Sequence, residues 1–155
     1  MASTTNYYNR SVDLCIFQGI KDSRPVTVNQ ALFDDGGYVC TGIQKLIQRW
    51  TVKFLTPLGS MKFHPDWGTN FLEEATHFHS EIDAELSFYS ANVSACEQLR
   101  MEEDDSMLLE EQIDNVKLNY ITVNSTGFTL NITLTSKFGS TAPVVLPVSI
   151  NPLQL

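Results

Sequence analysis

The 155-residue chain is 43% hydrophobic and 18% charged, enough to bury one core and too short for two. Its net charge of -8 works against nucleic-acid binding, which needs a basic patch to displace counterions from phosphates. No stretch has the uninterrupted apolar length of a membrane span, and Met1-Ala2-Ser3-Thr4-Thr5-Asn6 lacks the basic start and apolar run of a secretory signal. Cys15, Cys40 and Cys96 are odd in number and far apart, so they suggest neither a disulfide framework nor a zinc site. Synthesis in a reducing cytoplasm is the expectation. Asn-x-Ser/Thr triplets, among them those at Asn92, Asn124 and Asn131, then read as coincidence.

Residues 1–9 are polar and read as loose. Two short strand-like runs follow, Val12–Phe17 and Pro25–Val28, and Asp34-Asp35-Gly36-Gly37 makes a turn. Residues 1–39 therefore read as an extended N-terminal arm, with a compact domain over 40–155. Ile43, Leu46, Ile47, Trp50 and Phe54 recur at helical spacing, with Gln44, Lys45, Gln48, Arg49 and Lys53 on the other side. This predicts an amphipathic helix over 41–55 with Thr41 as its N-cap and Trp50 in the core. Pro and Gly punctuate the next stretch, 55–71, and its aromatics, Trp67 among them, predict a loop packed on the core.

Ser80 and Asp83 resemble a capping box. Beyond them Ile82, Leu86, Tyr89, Val93, Cys96 and Leu99 alternate steps of three and four, which predicts a long helix with that stripe facing inward. Glu102-Glu103-Asp104-Asp105 suits a helix C-terminus poorly, so a break is expected there with a short new turn begun by Ser106.

The last third alternates with period two. Val116, Leu118 and Tyr120 lead to Ile121 and Val123 with a phase change that predicts a bulge, and Asn124-Ser125-Thr126-Gly127 turns the chain. Phe128, Leu130, Ile132 and Leu134 alternate with Thr129, Asn131, Thr133 and Thr135; Val144, Leu146, Val148 and Ile150 follow a turn at Gly139. The fold class is α+β: amphipathic helices packed on a three-stranded antiparallel meander with a threonine-rich outer face. Pro147 cannot donate to a ladder, which places the third strand at a sheet edge or at a bulge. Such an edge can accept a strand from another chain.

The residues that could carry chemistry do not converge by spacing. His77 and His79, beside Glu73, Glu74 and Glu81, point about 200° apart if helical, so an exposed helix junction is the expected reading and no metal is assigned. Glu97, Glu102, Asp104 and Glu110 could include a glycosidase pair, but nothing spaces two of them across a cleft, and the run reads as a solvated face. No Gly-x-Ser-x-Gly and no phosphate-binding glycine loop occurs. No catalytic residue and no cofactor is assigned, and the expectation is a protein without enzymatic activity.

Residues 43–71 resemble the signature region of the phage baseplate wedge family that initiates the contractile tail sheath. In that family a helix leads to an L-T-x-x-G-S/E-R-like turn, then a P-x-x-G-S-like turn and an apolar pair. Here these stand as Leu55-Thr56-Pro57-Leu58-Gly59-Ser60, Pro65-Asp66-Trp67-Gly68-Thr69 and Phe71-Leu72. The similarity, with the element order behind it, covers residues 40–150; residues 1–39 have no counterpart. Family members carry Glu-Pro-Arg-Ile just before the meander, implicated in docking onto neighbouring wedge subunits. Glu110-Glu111-Gln112-Ile113 keeps the first and last of these and lacks the proline and the arginine.

The resemblance implies a virion protein of the tail baseplate, present in several copies in a ring. Its implied partners are other wedge subunits, the tail tube and the tail sheath protein, with no nucleic acid and no membrane. Docking would fall on Glu110, Gln112 and Ile113 within residues 106–113. Sheath initiation would use the strand edge at Val144, Leu146 and Val148. Alternatives left open are a phage-derived contractile injection or secretion machine and a peptidoglycan hydrolase.

Overall fold

The computed structural model describes residues 13–14, 17–18, 27–28 and 39–150. The segment 1–9 and the turn at Asp34–Gly37 lie outside the described residues. Of the N-terminal arm, β1 (Asp13–Leu14) pairs antiparallel with β4 (Val39–Cys40), and β2 (Phe17–Gln18) with β3 (Thr27–Val28).

The domain is α+β. Helix α1 (Ile43–Leu55) and the short α2 (Phe71–Ala75) lead into the 22-residue α3 (Glu81–Glu102). A single 3-10 turn, Leu109–Glu111, precedes the meander β5 (Ile113–Asn124), β6 (Gly127–Ser136) and β7 (Thr141–Ser149), in spatial order β5-β6-β7. Phe128, Leu130, Ile132 and Leu134 all face the core, as the alternation predicts. The expected bulge is present between Leu118 and Tyr120; it falls before Tyr120 and turns that ring outward while Ile121 returns to the core.

The core joins α1 to α3 and the sheet through aromatic rings. Trp50 stacks on Phe54 with centroids 4.7 Å apart; Phe54 meets Phe71 (4.6 Å) and Phe88 (5.4 Å), and Phe71 meets Phe128 edge-on (5.1 Å). Each such pair contributes about 0.5–1.5 kcal/mol beyond its area burial. The Trp50 indole donates to Asn92 Oδ1 (3.0 Å), whose amide donates to the Val116 carbonyl (3.3 Å), so a buried polar handle on α1 is satisfied across α3 to β5. Asn92 thus has an internal role, unrelated to its triplet.

Three expectations are corrected. Helix α1 begins at Ile43 after Gly42, not on a Thr41 cap, because the buried carboxylate of Glu111 accepts from the Gly42 N–H (3.3 Å), the kind of role given to a hydroxyl. The polar side of α1 is not solvated: Gln48 and Lys53 are buried, and Gln48 donates to the Leu14 carbonyl at 2.7 Å. The third concerns α3. Its ends are as expected, with Ser80 Oγ accepting from Asp83 N–H (3.2 Å) and the Asp83 carboxylate accepting from His79 N–H (3.3 Å). Its inward face is Ala84, Ser87, Phe88, Ala91, Ala95, Cys96 and Leu99, whereas Ile82, Leu86, Tyr89 and Val93 are 53–68% exposed. The stripe of large residues faces out, and a stripe mostly of small ones faces in.

Candidate assembly surfaces

The loop after α1 is closed at its base. Leu58 N–H donates to the Thr69 carbonyl (3.0 Å) and Thr69 N–H to the Thr56 carbonyl (2.8 Å), which brings the segments at 56–58 and 69 side by side. Gly68 sits at φ +97° with space for no side chain, since an added Cβ would lie 2.2 Å from the Thr56 oxygen. Gln98 of α3 holds it from the other side, donating to the Gly68 carbonyl (2.9 Å) and accepting from its N–H (3.0 Å). Trp67 is half-buried rather than core, with the Lys53 ammonium 2.9 Å over its ring. Phe63, at the tip, is exposed.

Of the carboxylates read as a solvated face, Glu97 and Asp104 are exposed, whereas Glu102 joins Glu103 and Glu111 in a latch of ion pairs at the end of α3. Glu102 pairs with both Arg49 (3.2 Å) and Lys53, which offsets its unfavourable place at a helix C-terminus. Glu111, almost fully buried, pairs with Lys45 at 2.9 Å. Glu103 pairs with Lys137 (2.6 Å) and accepts from Ile113 N–H (2.6 Å). The new turn is begun by Asp104 rather than Ser106: its carboxylate accepts from the Ser106 hydroxyl and N–H. Those bonds, the hydroxyl's first, hold the Asp104 carboxyl below its ordinary value of 3.8.

The predicted docking residues fall differently within this latch. Ile113 is fully buried in the core, so its side chain cannot meet a partner. Gln112 spends its amide internally, donating to the Met107 carbonyl (2.9 Å) and accepting from Lys137 (3.2 Å). Glu110 is half-buried beside Gly42. A proline at position 111 could make neither contact of Glu111, so this chain uses the stretch to fasten itself. Three large apolar side chains are presented outward beside the latch: Leu108, Leu109 and Phe138 are all exposed, with Phe138 N–H donating to the Leu109 carbonyl at 3.2 Å. Sequence reasoning missed this patch because its parts lie on opposite sides of the sheet's first two strands in the chain.

Strand β7 lies at the sheet edge, where Pro147 places it. Val144 and Leu146 are buried and Val148 half-buried, so these side chains belong to the core and only main chain is offered to a partner. Ile150 N–H donates inward to Thr126 (2.9 Å), and the unbroken register with β6 then turns residues 143, 145 and 147 outward. Pro143 and Pro147 carry no N–H, which leaves Val145 the one outward donor between them. At the other edge, Asn92 and Arg100 of α3 donate to the β5 carbonyls of Val116 and Asp114.

Helix α3 carries a row of exposed apolar side chains, Ile82, Leu86, Tyr89 and Val93. The same 4-3-4 spacing recurs two residues later in Ala84, Phe88, Ala91 and Ala95, on the opposite side; that second stripe was the available signal for the buried face. Cys96, at the buried side, has its thiol pushed up to about 11, chiefly by burial. His77 and His79 are exposed at the α2–α3 junction, and among the described residues no three His, Cys, Asp or Glu side chains come together to hold a metal ion. No helix among the described residues is long and apolar enough to cross a membrane. No family model, no curated protein and no solved structure matches the chain.

Proposed function

We propose that the chain is a non-catalytic structural subunit of a phage tail baseplate, several copies of which ring the tail tube, join wedge subunits to it and give the first sheath subunits an edge to build on. The observation that carries this reading is the exposed patch Leu108, Leu109 and Phe138, mounted on a latch fixed by the Glu102, Glu103 and Glu111 ion pairs. Three large apolar side chains on a rigid, internally satisfied base are suited to a protein contact. They stand within and beside residues 106–113, where the resemblance puts docking onto neighbouring wedge subunits. Support also comes from the paired turns at 56–69, which close as a fixed loop through Gly68.

Sheath contact by strand addition at β7 is specific in form. Between Pro143 and Pro147 the incoming strand receives one hydrogen bond, from Val145 N–H, and donates to the outward carbonyls of Pro143, Val145 and Pro147. An edge with so few donors resists pairing with a second copy of itself and favours a partner strand with its own N–H groups free.

The experiment replaces Leu109 and Phe138 with Asp, and separately Val145 with Pro, in a tail-forming phage that carries this chain. Both sites are exposed or outward-facing, so the variants are expected to fold. Leu109→Asp with Phe138→Asp should leave the subunit out of purified baseplates, and Val145→Pro should give baseplates that recruit no sheath. Wild-type incorporation of the double variant, or absence of the native chain from the baseplate in a tail reconstruction, would overturn the reading. Sheathed tails from Val145→Pro would remove the strand-addition step alone.

A further inference from the structure

The row Ile82, Leu86, Tyr89 and Val93 is independent of the latch patch and of the β7 edge, and nothing above gives it a purpose. It runs for about 17 Å along the first half of α3, at the rise of an α-helix. Its 4-3-4 steps are those of a coiled-coil seam, so a second helix can lay its own apolar row against it. The surroundings are acidic. Glu81, Asp83 and Glu85 are exposed beside the row, Glu97 is exposed beyond it, and Glu73 and Glu74 are exposed on α2. From Phe54 to Leu99 the only lysine or arginine is Lys62, and the first cation on α3 is Arg100.

On the Asp83–Ser90 flank a hollow of about 480 Å3 separates α3 from α2. Leu86 and Phe78 give it apolar walls, and Glu74 and Asp83 line it with carboxylates. A long cationic side chain suits such a space, laying its methylenes on Leu86 and Phe78 and its charge on the acids.

We propose that the exposed face of α3 is a docking site for an amphipathic helix of another protein, one whose apolar seam is flanked by lysine or arginine. Charge decides against a second copy of this chain. Self-pairing would set one acidic rim against another, with no cation along this half of the helix to face it. A basic-flanked helix gains on both counts: its apolar row is covered, and its cations meet the rim and the hollow. The order of the two contributions is also set, because the exposed rim charges govern encounter rate and salt dependence while the seam governs dissociation.

The test uses the full chain and two synthetic three-heptad helical peptides with identical Leu/Ile seams, one with Lys and one with Glu at the flanking positions. Fluorescence anisotropy should show the Lys-flanked peptide binding about tenfold or more tighter than the Glu-flanked one, with the difference shrinking as salt is raised. Leu86→Asp with Val93→Asp should abolish binding while circular dichroism stays native, since both positions are exposed. Glu81→Lys with Glu85→Lys should reverse the preference between the peptides, which a loss of fold could not do. Equal binding of the two peptides, or binding of neither, would overturn the proposal. So would a dimer in sedimentation equilibrium that Leu86→Asp dissolves, for the occupant would then be a second copy.

Discussion

The orientation of α3 can be decided by two alanine substitutions that are two residues apart in sequence and about 200° apart around the helix. Phe88 is fully buried, with its ring 5.4 Å from Phe54 and 6.4 Å from Trp50, so Phe88→Ala opens a hole at the junction of α1 and α3. Phe→Ala in a core costs about 3–5 kcal/mol, which is a large share of the roughly 5–15 kcal/mol that holds a typical domain together. Leu86 is 66% exposed, so only about a third of its transfer free energy is engaged. At about 1.5–3 kcal/mol for full burial this is about 0.5–1 kcal/mol, partly offset by the better helix propensity of alanine.

Urea unfolding followed by the fluorescence of Trp50, which sits against Phe88, in a Trp67→Phe background reads both changes. With a slope of about 2 kcal/mol per molar, Phe88→Ala should lower the midpoint by roughly 2 M and Leu86→Ala by less than about 0.5 M. If the stripe of large residues were the buried one, the order would invert, with Leu86→Ala the damaging change. Equal midpoints would also refute the packing described above.

Three further outcomes are expected. Gly68→Ala puts a side chain at φ +97° and against the Thr56 oxygen, so it should cost at least about 1–3 kcal/mol and expose residues 56–70 to proteases; wild-type protection would contradict the closed loop. Glu111→Ala leaves the Lys45 ammonium and the Gly42 N–H without that carboxylate in a buried setting, and thermal unfolding should show a loss of about 3–5 kcal/mol; a loss under about 1 kcal/mol would mean the latch is loose. Ser106→Ala removes the bond that most lowers the Asp104 carboxyl, so NMR titration should find its pKa risen toward 3.8. Because the folded-state value is depressed, the stabilisation tied to Asp104 is present above its unfolded value and lost as pH falls through the folded one. An unchanged titration would assign the shift to another group.

The meander was legible because a sheet with one buried face writes its orientation into every second residue. Phe128 to Leu134 could be read without knowing what lay beneath them, and even the Leu118–Tyr120 bulge showed as a break in phase. Trp50 and Phe54 were legible too, since α1 offers one large apolar row for the core. The burial of its opposite row was not legible, because charge suggests water until a partner is known. Glu102 and Glu111, more than 48 residues further along the chain, are what bury Lys53 and screen Lys45. No local pattern contains that pairing.

Helix α3 marks the boundary most clearly. Its sequence determines a helix, its Ser80 cap and its length, and it offers two rows at the same spacing: Ile82, Leu86, Tyr89, Val93 and, two residues on, Ala84, Phe88, Ala91, Ala95. Hydrophobicity favours the first row for the interior. Tertiary packing chose the second, because small residues let the backbone of α3 come close to α1 and β5 while Phe88 and Leu99 fill the remaining space, and because Asn92, between the rows, must reach both Trp50 and Val116. Periodicity states that a face exists; only the shape of what it packs against decides which face is buried and which is left for a partner.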